Sequence, residues 1–131
     1  MNSPKALLVF KEPDAMKSLV DSLELRGIGS VIVNTGMDAI RICNSNEVFL
    51  VLLEVDIPDI NGYDLVYFLR RQCKSELVFV IMAFFSMAAA SLAMSVGINE
   101  FVAKPAKEEE LVLLIEKYYN LNVNQVVSQE F

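Results

Sequence analysis

An α/β fold built on a five-stranded parallel sheet is predicted by three observations. Val48 to Leu53 is a run of six apolar residues that stops at the carboxylate of Glu54. A strand buried on both faces reads this way. Apolar runs of strand length alternate five times with segments of helical spacing, the order that gives parallel strands joined by right-handed crossovers. The chain has 131 residues, 54% of them hydrophobic, which suits a single core covering both faces of one sheet.

The elements follow in order. Ala6 to Phe10 is a short apolar strand, and Lys11-Glu12-Pro13-Asp14 turns into a helix. In that helix Met16, Leu19, Val20, Leu23 and Leu25 keep helical spacing, and Gly27 ends it. Val31 to Val33 is the second strand and Thr35 to Cys43 the second helix. The central strand ends at Glu54, Asp56 to Gly62 forms a loop, and the third helix, Tyr63 to Lys74, buries Leu65, Val66, Phe68 and Leu69. Leu77 to Met82 is the fourth strand, and Ser86 to Val96 the fourth helix with Ser86 as its N-cap. Glu100 to Ala103 is the fifth strand. Glu108 to Tyr119 is the last helix, with Leu111, Leu114, Ile115 and Tyr118 inward. Residues 1–120 read as one domain, and 121–131 as a polar, Asn/Gln-rich tail or the start of a linker.

Composition excludes several classes of function. The net charge of −6 argues against the domain gripping nucleic acid or an anionic membrane. The cluster Arg70-Arg71-Gln72-Cys73-Lys74 reads as a helix end complementing its dipole. No histidine is present, which removes phosphohistidine relays, histidine acid–base catalysis and most zinc sites. Cys43 and Cys73 are isolated within helices and read as small core residues in a reducing compartment. Leu77 to Ile98 carries no charge, yet its β-rich start, the N-cap at Ser86 and the dilution by Ser91, Ser95 and Gly97 favour a strand plus a helix over a membrane span. The N-terminal residues lack the form of a signal peptide. The expectation is a cytoplasmic protein.

The central strand and its loop, Glu54-Val55-Asp56-Ile57-Pro58-Asp59-Ile60-Asn61-Gly62, resemble the phosphoacceptor strand and loop of response regulator receiver domains. Glu12-Pro13 after the first strand, Phe101, and Lys104-Pro105 after the fifth fall at further landmarks of that family without a gap between them. The likeness spans Ala6 to about Tyr119. It implies a doubly wound (βα)5, flavodoxin-like sheet with strand order 2-1-3-4-5.

The resemblance also shows what has changed. The family's phosphorylated aspartate lies four residues before the loop proline, where this chain has Glu54. The acidic pair that holds Mg²⁺ is replaced by Phe10 and Lys11, the hydroxyl residue of the fourth strand by Met82, and Phe101 takes the place of the rotating aromatic. Lys104 alone is kept among the five positions that carry the chemistry, with Ala83 preserved beside Met82. Phosphotransfer and the Mg²⁺ site are therefore expected to be lost. Glu12 is the one residual candidate for a metal, and Asp56 and Asp59 read as solvated or turn-forming loop acids. Lys11 and Lys104 are expected to flank Glu54 in a metal-free ionic cluster.

The resulting expectation is not an enzyme but a phosphorylation-independent interaction module, with no cofactor and no small-molecule substrate. Alternatives are an orthodox receiver phosphorylated on an acidic residue, the receiver part of a DNA-binding regulator, or a cofactor-binding domain of the same topology. The last is disfavoured because Phe10 to Asp14 is not a phosphate loop and cobalamin would need a histidine. In the fourth helix Ala89, Leu92, Ala93 and Val96 are expected to face the sheet, leaving Met87, Ala90, Ser91 and Met94 outward with Phe85 ahead of them. That apolar stripe, with Phe101, is the expected surface for a protein partner or homodimer across the fourth helix, fifth strand and fifth helix.

Overall fold

The computed structural model describes residues 3–72 and 76–129. Strand β1 (Lys5–Val9) leads through a 3₁₀ turn (Pro13–Met16) to α1 (Lys17–Leu25), β2 (Ser30–Val33) and α2 (Gly36–Ser45). Then come β3 (Val48–Glu54), α3 (Gly62–Gln72), β4 (Val78–Ala83), α4 (Met87–Ser95), β5 (Glu100–Ala103) and α5 (Glu108–Gln129). All pairings are parallel, and the strand order is β2-β1-β3-β4-β5. The alternating sequence thus folds as expected, as a flavodoxin-like doubly wound sheet.

Strand parity divides the core in two, because successive side chains of a strand point to opposite faces. Leu8, Phe10, Leu50, Leu52, Val80 and Met82 join Leu19 and Leu23 of α1 and Leu111, Val112 and Ile115 of α5. Leu7, Val9, Val51, Leu53, Phe79 and Ile81 face the other way and join Ala39 of α2, Tyr63, Leu65, Val66 and Leu69 of α3, and Ala93 of α4. A central strand serving both clusters cannot alternate with polar residues, so β3 is apolar throughout up to Glu54.

Several expectations are corrected by the packing. Leu25 is 90% exposed, because it lies two residues past Leu23 and so leaves the inward stripe. Phe68 and Leu92 also face solvent, and Val112 is buried beside Leu111. The last helix does not stop near Tyr119 but runs on to Gln129, through the stretch that reads as polar tail. Once nucleated and held by tertiary contacts, a helix extends through indifferent residues at little cost per residue. Cys43 is partly buried against the second core cluster; Cys73 and Lys74 lie outside the described residues. The charge-free stretch after Leu77 is β4 followed by α4, and no helix among the described residues is long and apolar enough to cross a membrane.

Candidate functional site

The carboxyl ends of β1, β3, β4 and β5 converge on Glu54, the last residue of β3. Met82 of β4 is its neighbour in register and Val102 of β5 is the neighbour of Met82. The Lys104 amide donates to the Ala83 carbonyl at 2.9 Å, so β5 delivers its lysine to the same edge. The Lys104–Pro105 peptide bond is cis.

The Glu54 carboxylate is divided between two donors. Its Oε1 accepts from the Lys11 main-chain amide at 3.0 Å, and its Oε2 is ion-paired and hydrogen-bonded with Lys104 Nζ. Both side chains are mostly covered, 19% exposed for Glu54 and 25% for Lys104. The expected three-residue ionic cluster is therefore corrected in one respect. Lys11 reaches Glu54 through its backbone, while its ammonium lies 3.8 Å from Asp56 in a solvent-exposed pair. Such a pair adds at most about 1 kcal/mol.

Phe10 and Met82 are buried within the cluster beneath α1 and α5. An aromatic ring and a thioether there offer neither a cation ligand nor a hydrogen-bond donor to the strand ends. Glu12 is exposed at the start of the 3₁₀ turn, where its carbonyl accepts from the Ala15 amide at 3.2 Å.

The loop after Glu54 is held at both ends. A Cβ at Gly62 would stand 2.6 Å from the Glu54 carbonyl oxygen and 2.7 Å from Val55 Cα. Only glycine lets α3 begin this close to the strand end. The Gly62 amide donates to the Val55 carbonyl at 2.8 Å, and Asn61 Oδ1 accepts from the Tyr63 amide at 2.8 Å as a local helix cap. Asp59 does more than shape this turn. Its two oxygens accept from the Gly36 and Met37 amides at 2.7 and 3.0 Å, at the start of α2. The Gly36 hydrogen bond, reinforced by that from Met37 and opposed by burial, holds the Asp59 carboxyl below its ordinary value. Ile60 fills the space beside Gly36, with its Cγ2 only 2.2 Å from where a Cβ would be.

An apolar surface lies next to this edge. Met87 and Met94 are 79% and 78% exposed, and Phe84 and Phe85 are exposed ahead of α4. The Phe85 ring packs edge-on against Phe101 of β5, centroids 6.3 Å apart. Phe101 is partly buried, and Ala90 is half-covered while Ser91 is open. Leu92, expected to face the sheet, joins the open surface, and Ala93 is the one fully buried residue of α4.

Two members of this surface escaped the sequence reading. Phe84 lies with its ring 5.9 Å from Lys104 Nζ, linking the strand-end pair to the apolar face. Leu113 is exposed on α5 one turn before Lys117, whose ammonium is 3.5 Å from Glu100 of β5. Residues four apart share a helix face, so Leu113 looks toward β5. The signal for Phe84 was its position two residues past Met82.

Comparison with known proteins agrees with this architecture. A family model for the response regulator receiver domain matches residues 6–116. The response regulator SaeR of Staphylococcus aureus (strain USA300) is 28% identical over 132 residues, covering 95% of this chain and 57% of SaeR. The chain thus spans little more than half the length of such curated relatives. Among solved structures, a CheY-like response regulator receiver domain protein from Methanospirillum hungatei JF-1 superposes with a TM-score of 0.83 at 16% identity, covering 95% of this chain and 99% of that one. The non-phosphorylated HemR receiver domain from Leptospira biflexa gives 0.79 at 24% identity, over 88% and 94%.

Proposed function

Because this chain belongs to the response regulator receiver domain family, we propose that it acts in two-component signalling as an atypical receiver, an interaction module whose state does not depend on phosphorylation. One observation carries this reading: the Glu54 carboxylate already occupies both the Lys104 ammonium and the Lys11 amide. Glutamate reaches one methylene farther than aspartate, and its charge sits among the donors that would otherwise meet an incoming anion.

The surrounding residues support the same reading. Mg²⁺ requires several hard oxygen ligands in octahedral array, and the donor set does not suit it. The positions at the end of β1 hold a buried phenylalanine and a lysine paired with Asp56, and Glu54 is engaged by two donors. In-line transfer further needs a nucleophile at a set distance and a group that stabilises the transferring phosphoryl oxygens. The longer side chain at 54 and the buried thioether at 82 supply neither. On this reading the domain performs no catalysis, needs no cofactor, and signals by presenting the α4–β5–α5 face, with Phe85, Met87, Ala90, Met94, Phe101 and Leu113, to a protein partner or a second copy. On the same reading it binds no nucleic acid, no membrane and no small-molecule substrate.

Incubation with Mg²⁺ and acetyl phosphate tests the proposal. The intact mass should be unchanged, and Mg²⁺ alone should leave the melting temperature where it was. A stoichiometric, base-labile gain of one phosphoryl group would return the domain to the orthodox class.

A further inference from the structure

Asn61-Gly62 is the one Asn-Gly pair in the chain, and glycine is the successor that shields an asparagine least from its own backbone. With no side chain in the way, the main-chain nitrogen of the glycine can attack the asparagine Cγ. The new C–N bond closes a succinimide ring while the Cγ–Nδ2 bond breaks. The side-chain amide leaves as ammonia and takes the proton displaced from the glycine nitrogen. Water then opens the ring on one of its two sides. Opening at Cγ gives aspartate. Opening at the main-chain carbonyl gives isoaspartate, whose backbone runs through the former side chain and is one carbon longer.

Exposure alone would mark this pair as reactive, because Asn61 is open to solvent. The geometry of the closed loop opposes the attack. The Gly62 amide, which would be the nucleophile, donates to the Val55 carbonyl at 2.8 Å. Asn61 Oδ1 accepts from the Tyr63 amide at 2.8 Å, which aims the side chain one residue past the nitrogen it would have to meet. The Asn61 carbonyl accepts from the Leu65 amide at 3.0 Å, and Asn61 is bridged to Asp56 across the loop. The middle of the loop is anchored by Asp59, whose oxygens accept from the Gly36 and Met37 amides. The Gly62 and Tyr63 hydrogen bonds have to open before nitrogen and Cγ can meet.

We propose that Asn61-Gly62 is a modification site gated by the fold: it deamidates only when the loop between β3 and α3 opens, and the isoaspartate product then keeps that loop from closing. The two products act in opposite directions. Aspartate retains the cap on Tyr63 and adds a negative charge at the amino end of α3, where the helix dipole favours it. Isoaspartate displaces Gly62 by one backbone atom. Even a Cβ on Gly62 would stand only 2.6 Å from the Glu54 carbonyl oxygen and 2.7 Å from Val55 Cα, so a lengthened backbone has no room there. Each such opening is recorded covalently, beside the strand end that carries the Glu54–Lys104 pair.

The test is prolonged incubation of the intact chain in mildly alkaline buffer, with isoaspartate at position 61 followed by peptide mapping. The folded chain is expected to convert at least about tenfold more slowly than the same chain in concentrated urea, since conversion waits on local opening. Asp59→Ala removes the anchor to α2 and should speed conversion several-fold in a chain that remains folded by circular dichroism. Amide hydrogen exchange on the separated products should find Gly62 unprotected in the isoaspartate form and protected in the aspartate form. Equal rates in folded and urea-unfolded wild type overturn the gate, whether or not the Asp59 variant folds. So does a folded Asp59→Ala chain that converts no faster. An isoaspartate form with Gly62 still protected overturns the proposed effect on the loop.

Discussion

Helices α4 and α5 precede and follow the same strand, yet the sequence treats them in opposite ways. α5 buries Leu111, Val112 and Ile115 and is stitched to its neighbours by polar contacts. Arg26 of α1 pairs with Glu116 at 2.9 Å, Ser22 donates to Glu108 at 2.9 Å, and Tyr118 Oη donates to Glu100 of β5 at 2.8 Å. α4 buries one alanine and carries no charge. The difference teaches that hydrophobicity does not measure attachment. The more apolar helix is the less buried one, because its methionines and Leu92 point outward and only Ala93 is fully covered.

Truncating the buried part of α5 should break the comparison most sharply. Ile115→Ala is expected to cost about 3 kcal/mol through lost transfer energy and a cavity, whereas Leu92→Ala on α4 should cost about 1 kcal/mol or less. Urea unfolding of both variants measures this, and a Leu92 penalty as large as that of Ile115 would contradict the packing described.

A second, smaller contrast is electrostatic. Burial, with the hydrogen bond to Glu100 and the nearness of its charge, pushes the Tyr118 phenol up to about 12 from 10.0. A raised folded value means that the neutral phenol is the favoured form. The stabilisation is complete below pH 10 and is lost as pH rises from there through about 12. Ultraviolet titration of wild type minus Tyr118→Phe isolates the group, and the difference spectrum should turn over near 12 rather than 10. α4 has no ionisable side chain to respond in this range.

The smallest effect on stability is expected where the proposed effect on association is greatest. Replacing Met87 and Met94 together with lysine should change unfolding free energy by no more than about 0.5 kcal/mol, since both side chains are in water. Self-association or partner binding should nevertheless fall. Unchanged sedimentation velocity together with unchanged partner pull-down would place the interface elsewhere.

The same contrast explains which parts of the molecule were legible in the sequence. β3 was plain because six apolar residues in a row leave a strand of this length no solvent side. α5 was legible as far as its charges and leucines alternate at helical spacing, and illegible beyond Asn120, where composition favours coil but the helix continues. In α4 the periodicity carried little direction: with apolar residues on every side, Ala89, Leu92, Ala93 and Val96 fit one inward stripe, yet only Ala93 is fully buried and Leu92 faces solvent. The site was legible in its residue types and less so in its contacts. Glu54 and Lys104 meet as their strand ends imply. That Lys11 offers its amide rather than its ammonium depends on side-chain direction at a strand end, which spacing does not encode. Likewise nothing in the local pattern of the loop shows that Asp59 caps a helix 22 residues earlier in the chain.

The junction between that loop and α2 has a consequence for anyone recombining this domain with its relatives. The Asp59 oxygens claim the first amides of α2, and the Ile60 methyl stands where any side chain at position 36 would have to go. Positions 36, 59 and 60 are thus one choice rather than three, although two dozen residues separate them. A crossover placed between α2 and β3 would divide that choice between two parents. A graft meant to preserve the geometry around Glu54 has to carry the start of α2 with it.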